Sequence, residues 1–289
     1  MSSKSGYYSD LFELTKPRIC LLALLMATLG FLLGTDGPLS FMSLTWMLLG
    51  TGLVGASSCI FNQYVEIDID SRMWRTMNRP LVSGRVAEKD ALMFGITLGV
   101  IGEVILIAFV NEATAVLGAL TLLLYIAVYT PSKKITPLST IIGAVPGAFP
   151  PLMGWTAAHG SVSIEGLLLF AILLLWQIPH FLAIAWIYRE DYARAELPIL
   201  SVVDEKGSAT AKQIILYSIA LLPLTLVPSV WGMMGQAYLF GALILGSIFL
   251  FCGILLAVHR TKFYARILFI VSIIYLPALG ILMVWDRVG

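Results

Sequence analysis

The chain has 289 residues, is 59% hydrophobic and 12% charged, and carries a formal net charge of +1. A mean hydropathy of +0.91 excludes an ordinary soluble domain, and no nucleic-acid partner is expected. Apolar runs long enough to cross a bilayer recur throughout, and backbone polar groups in lipid must be satisfied inside helices. The alternating segments of a membrane β-barrel are missing, so the fold class expected is all-α, a polytopic membrane protein.

Nine transmembrane helices are read in chain order: Ile19–Leu33, Phe41–Tyr64, Leu92–Val110, Ala113–Tyr129, Leu138–Ala157, Ile164–Tyr188, Ile214–Trp231, Tyr238–Val258 and Ile267–Trp285. With the N-terminus placed in the cytoplasm and loops assigned alternately, every Lys and Arg except Arg287 falls on the cytoplasmic side. That bias predicts a cytoplasmic N-terminus, a C-terminus on the opposite side and an odd number of spans. The first run has no small-residue cleavage site and serves better as a span than as a signal peptide. Cys20, Cys59 and Cys252 have no metal-type spacing and are expected to be packing residues.

The second span leads into Asn62–Pro80, where Glu66, Asp68 and Asp70 are followed by Arg72, Arg75 and Arg79. Asn62, Glu66 and Asp70 are spaced i, i+4, i+8, which stacks them on one helical face and leaves Asp68 off it. Stacked carboxylates repel unless a cation compensates, and Mg²⁺ binds through one or two carboxylates plus substrate phosphates. The competing reading is a solvated helix end paired with Arg72 and Arg75. Arg75 and Arg79, also i, i+4, would present two guanidinium forks to a phosphate or carboxylate if helical; positive-inside topology explains them equally well.

Glu103 lies in the third span, with no role assigned. The fourth ends in Tyr129-Thr-Pro-Ser-Lys133, a spacing that sets a hydroxyl and an ammonium toward one ligand. The fifth contains GAVPGAFPPLMGW (Gly143–Trp155), whose prolines and glycines predict a kinked or broken helix lining a cavity. The sixth contains WQIPHF (Trp176–Phe181), with Gln177 and His180 at membrane depth, where polar groups face the bundle interior. His180 is a candidate metal ligand or proton carrier, with an interhelical hydrogen bond as the plainer alternative. The second long loop, Arg189–Gln213, opens with acids and resembles the first: Pro80-Leu81-Val82-Ser83 matches Pro198-Ile199-Leu200-Ser201. Repeat units at about 10–130 and 136–259, with a ninth helix at 267–285, are one arrangement of the single 1–289 domain.

These motifs resemble the UbiA superfamily of intramembrane prenyltransferases. Asn62, Glu66 and Asp70 follow its Asn-x-x-x-Asp-x-x-x-Asp pattern with Glu66 in place of Asp, and Tyr129 and Lys133 follow its Tyr-x-x-x-Lys element. RTMNRPLVSGRV (Arg75–Val86), GAVPGAFPPLMGW, WQIPHF and REDY…LPILSVV are similar to the branch that prenylates haem. The superfamily's second Asp-x-x-x-Asp falls on Tyr188 and Tyr192 here, which leaves Asp191 as the acid of the second cluster. The resemblance implies Mg²⁺ on Asn62, Glu66, Asp70 and Asp191, with diphosphate held by Arg75, Arg79, Tyr129 and Lys133. It implies haem contacts from His180, Arg79 and Gln177, and a catalytic set of Asn62, Glu66, Asp70, Asp191 and His180. Farnesyl diphosphate and haem b would be joined to give haem O for terminal-oxidase biogenesis, in an inner membrane, at its cytoplasmic face. Membrane lipid is the surrounding partner, and contact with a haem A synthase or terminal-oxidase assembly machinery stays open. A quinone-precursor or chlorophyllide acceptor is the nearer alternative; a lipid-phosphate or haem transporter is the farther one.

Overall fold

The computed structural model describes residues 4–288. A short helix α1 (Lys4–Leu14) precedes α2 (Pro17–Gly34) and α3 (Phe41–Val65), and a single-turn helix α4 (Ile67–Ser71) follows the end of α3. Next come α5 (Glu88–Phe109) and α6 (Glu112–Leu123), the latter running through a π-helical stretch, Leu124–Tyr129, into α7 (Thr130–Ser132). Then follow α8 (Ser139–Gly147), α9 (Phe149–His159), α10 (Ile164–Ile187), α11 (Arg189–Arg194), α12 (Leu200–Val203), α13 (Ser208–Val230), α14 (Gln236–His259) and α15 (Lys262–Trp285). Among the described residues the only strand-like pairing is one isolated bridge, Met234 to Arg287.

Among the described residues 8 helices are long and apolar enough to cross a membrane. The fifth expected span is instead broken at Ala148 into α8 and α9. Pro150 and Pro151 have no N–H to give to the carbonyls of Pro146 and Gly147, so two successive helical bonds cannot form. The Ala148 amide turns back to Val145 O at 3.1 Å. Three helices begin well before their apolar runs: α5 at Glu88, α13 at Ser208 and α15 at Lys262. Hydropathy marks the stretch that meets lipid, whereas the helix extends through its polar first turns. Ser40, Asn111, Ser163 and Thr261 cap α3, α6, α10 and α15 by accepting from the amides of Ser43, Thr114, Gly166 and Tyr264, groups the helix itself leaves unpaired.

Two interiors form. Leu169, Ile172, Leu182, Tyr238, Phe249 and Tyr275 are buried among α10, α14 and α15. Val54, Leu106, Ala115, Leu152 and Met153 are buried among α3, α5, α6 and α9. Between them α2 crosses α9 with backbones in contact: a Cβ on Gly30 would overlap the Pro151 carbonyl, and one on Gly154 the Ala27 carbonyl. Small residues allow this approach where lipid provides no hydrophobic drive to helix association. The outer faces keep large apolar side chains exposed, such as Phe240, Ile244, Ile248 and Phe251 on α14, as a bilayer solvent requires.

The two long loops pack on one another over a small shared core of Ile69, Met73, Ala185, Ala195, Leu197 and Ile199. Arg85 ties α1 to the first loop through Asp10 at 2.8 Å and Glu13 at 3.3 Å.

Candidate active site

The acid stack survives the end of α3. Glu66 leaves helical geometry (φ −99°, ψ 12°), yet its amide bonds Asn62 O at 3.1 Å and the Asp70 amide bonds Glu66 O at 2.8 Å. The three side chains therefore stay one above another, as their spacing predicts, and all are buried, with Asp70 only 1% exposed. Asp68 is exposed. Like charges brought together without water are costly unless cations meet them, and three cations do. Lys133 Nζ lies 2.6 Å from Glu66 Oε1, Arg79 pairs with Asp70, and Lys16 Nζ donates to Asn62 Oδ1 at 2.9 Å.

The compensation is incomplete at the level of atoms. Glu66 Oε1 and Asp70 Oδ1 are buried without a hydrogen bond. The Lys133 approach to Glu66 is an ion-pair contact lacking hydrogen-bond alignment. Two buried carboxylate oxygens without hydrogen bonds, with the Asn62 amide oxygen one turn away, are the donor type a hard divalent cation takes before completing its shell with phosphate and water.

The cations are positioned by local chain chemistry. Pro131 has no N–H for the carbonyl of Ala127, and the helix widens into the π-helical stretch just before it, a feature common at functional sites. Tyr129 and Lys133 then come together: the ammonium stands 4.5 Å over the Tyr129 ring, and that ring occupies the space a side chain on Gly143 of α8 would need. Burial draws the Lys133 pKa down, but Tyr129, Glu66 and Tyr125 more than reverse this, leaving it above the ordinary lysine value. Lys16 has a left-handed backbone (φ 49°) and caps α2 just ahead of Pro17. Burial, reinforced by Arg79 and Lys133, pushes its pKa down to about 8. Lys16 is a site residue that sequence reasoning missed. It reads there as one more positive-inside lysine; its place before a helix-opening proline at the mouth of a span was the available signal.

Several expectations are corrected. Arg75 and Arg79 do not share a helical face, because residues 72–86 form consecutive turns that carry Arg79 back to Asp70. Arg75 points to the second loop, 4.8 Å over the Tyr188 ring and 3.4 Å from the Tyr192 hydroxyl. Arg72, which the competing reading paired with the first acids, pairs instead with Glu196 at 3.0 Å. Asp191 accepts from the Trp74 amide at 3.2 Å. Among the described residues no group of three His, Cys, Asp or Glu side chains is close enough to hold a metal ion, so Asp191 is not gathered to Glu66 and Asp70; it clamps one loop to the other. Gln177 gives its amide hydrogens to Ala144 O at 3.2 Å and Leu173 O at 3.1 Å. It braces broken helix α8 beside Gly147 instead of offering those donors to haem. His180, three residues on, faces α15. Its ring stacks on Trp176 (4.8 Å) and Phe269 (5.2 Å).

An all-helical membrane bundle with buried carboxylates and cations at one end of its helices is the architecture of an intramembrane prenyltransferase. The chain belongs to the UbiA prenyltransferase family, whose family model matches residues 23–284, and it is accordingly an integral membrane protein. It is 46% identical to the protoheme IX farnesyltransferase of Solibacter usitatus (strain Ellin6076), over 97% of this chain and 99% of that one. A solved digeranylgeranylglyceryl phosphate synthase shares the fold with a TM-score of 0.82 at 18% identity, covering 97% of this chain and 98% of its own. A UbiA homolog from Archaeoglobus fulgidus, solved bound to GPP and Mg2+, superposes with a TM-score of 0.67 at 16% identity, over 96% and 99% of the two chains.

Proposed function

We propose that the chain transfers the farnesyl group of farnesyl diphosphate to a vinyl group of haem b, giving haem O. The observation that carries the chemistry is the buried stack of Asn62, Glu66 and Asp70 with two carboxylate oxygens left without hydrogen bonds among Lys16, Arg79 and Lys133. The likeness to a protoheme IX farnesyltransferase along the whole chain carries the choice of acceptor.

Asn62, Glu66 and Asp70 would hold Mg²⁺, which when bound supplies charge neutralisation for the departing diphosphate. Lys16, Lys133 and Arg79 outnumber the two carboxylates, and their surplus charge binds and stabilises the diphosphate as the C1–O bond breaks. The electron pair leaves with the diphosphate, and C1 becomes an allylic cation. The π electrons of a haem vinyl group form the new C–C bond to C1, and the cation that results beside the pyrrole takes up water. Loss of a proton from that water leaves a hydroxyethylfarnesyl group. Tyr129, backed by Gly143, holds the Lys133 ammonium over its ring, a cation–π contact that keeps this charge beside Glu66. Arg75, Tyr188, Tyr192 and Asp191 keep the two loops together over the site, which limits water at the cation.

The same proposal places the site at the cytoplasmic face of an inner membrane, with nine crossings in which α8 and α9 together make the fifth. Haem O is too apolar to leave the bilayer readily, so direct contact with a haem A synthase or oxidase assembly factor belongs to it. Purified protein given haem b, farnesyl diphosphate and Mg²⁺ should yield haem O by mass analysis of extracted haem. Turnover retained in Asp70→Ala or in EDTA would remove the metal role, and prenylation of a quinone precursor in preference to haem would change the acceptor.

A further inference from the structure

His180 is held in an arrangement that determines which of its nitrogens is available. Its Nδ1 lies 2.6 Å from Ser272 Oγ, on the facing helix α15. The Ser272 hydroxyl in turn donates to Phe269 O at 2.6 Å, three residues back on its own helix. A serine hydroxyl has a single proton. Committed to Phe269 O, it leaves only lone pairs toward the imidazole, so the short contact requires Nδ1 to carry the hydrogen. A neutral imidazole with Nδ1–H has its lone pair on Nε2.

Nothing else in the described protein engages that second nitrogen. The one hydrogen-bond partner of His180 is at Nδ1, Trp176 and Phe269 stack on the ring, Phe181 meets it at a tilt of 59°, and Nε2 is not among the fully enclosed atoms without a partner, so it keeps some exposed surface. Ser272 itself is 0% exposed, and its carbonyl accepts from Trp176 Nε1 at 3.1 Å. One serine thus fixes both the imidazole and the indole stacked on it. A hydroxyl shielded from solvent and engaged on both sides is more than a serine needs for packing.

We propose that Ser272 is a positioning residue that sets the His180 tautomer, so that Nε2 is presented as an axial ligand to the iron of a metalloporphyrin substrate. The inference rests on the haem-prenylating function proposed above and extends it to how the acceptor is oriented. Imidazoles that ligate metals regularly donate their other N–H to a fixed acceptor, and loss of that acceptor weakens binding. Here the acceptor is a hydroxyl from a different helix, so iron binding and the α10–α15 packing are coupled.

The test compares wild type with Ser272→Ala, Ser272→Cys, Ser272→Thr and His180→Ala, each as full chain in lipid nanodiscs. Ferric haem b is titrated with its Soret band and EPR spectrum as readouts, and metal-free protoporphyrin IX by fluorescence quenching. Haem O formation gives KM for haem and for farnesyl diphosphate. Ser272→Ala should weaken haem binding and raise its KM by about 10-fold, with the farnesyl diphosphate KM unchanged. The weaker acceptor of Ser272→Cys should give a smaller rise, and Ser272→Thr should match wild type. His180→Ala should lose the histidine-ligated spectrum. Metal-free protoporphyrin should bind all five proteins alike, which also certifies the fold of each variant. An unchanged haem spectrum and KM in both Ser272→Ala and Ser272→Cys would overturn the inference. Equal losses for haem and for the metal-free porphyrin would do so too, by reducing Ser272 to packing. Absence of haem O from wild type supplied with both substrates and Mg²⁺ would instead overturn the functional reading beneath it.

Discussion

Lys133→Met isolates the balance of charge in the acid stack. Glu66 is 4% exposed, and its near cation is Lys133 at 2.6 Å. Removing the ammonium leaves a buried carboxylate uncompensated, a change that costs about 3–5 kcal/mol. Glu66→Gln strands the ammonium instead, but Lys133 keeps the Tyr129 ring at 4.5 Å, a contact contributing roughly 1–2 kcal/mol; its cost should be smaller, about 2 kcal/mol. The double variant has neither charge and should cost well under the sum, with a coupling of about 2–3 kcal/mol. The assay is unfolding in detergent followed by tryptophan fluorescence, with and without Mg²⁺. Mg²⁺ at about 100 times its Kd should return roughly 2.7 kcal/mol to Lys133→Met, whose two carboxylates keep their charge. It should return much less to the double variant. Additive costs across the cycle, or equal Mg²⁺ shifts in both proteins, would refute the claim that Lys133 and a divalent cation answer the same carboxylate.

Lys16→Met removes a charged donor from the diphosphate cradle, worth about 1.5–3 kcal/mol; the KM for farnesyl diphosphate should rise by roughly 10- to 100-fold, with the KM for haem little changed in steady-state turnover. Gly154→Ala forces a methyl into the Ala27 carbonyl and should cost about 3 kcal/mol, seen as a lower unfolding midpoint. Gly160→Ala, with open space around it but φ +85°, should cost only about 1 kcal/mol. Asp204 accepts from the amides of Ser208 at 3.1 Å and Thr210 at 2.8 Å at the start of α13. Burial raises its pKa, but these amides more than offset that and hold the carboxyl below its ordinary value. Its stabilisation is therefore complete above the unfolded pKa of about 3.9 and is lost as pH falls through the lower folded value. Asp204→Ala should cost about 1 kcal/mol at neutral pH, and its unfolding curve should converge on that of wild type in strong acid.

The parts of this molecule legible in its sequence are those governed by one local rule. Lipid demands apolar helices, so the spans can be read from hydropathy, and prolines at 146, 150 and 151 announce the break in α8–α9 because each removes a specific amide. The stack of Asn62, Glu66 and Asp70 depends only on the i→i−4 bonds through Glu66, and these persist past the formal end of α3. Arg75 and Arg79 obey the same arithmetic and fail it, because their pairing requires a helix that Pro80 and the turns around Met73–Ser83 do not supply. Lys16 was hidden for the opposite reason: its contact with Asn62 spans 46 positions and arises from the packing of α2 against α3. Gln177 and His180 show where the rule loses resolution. Three residues apart, they share the inward side of α10, yet the offset sends one to the carbonyls of α8 and the other to the hydroxyl of α15. Sequence identifies both as polar groups a membrane helix must satisfy. Only the neighbours decide that Gln177 spends its donors on the carbonyls of α8 and α10, while His180 commits one nitrogen to Ser272 and has no hydrogen bond at the other.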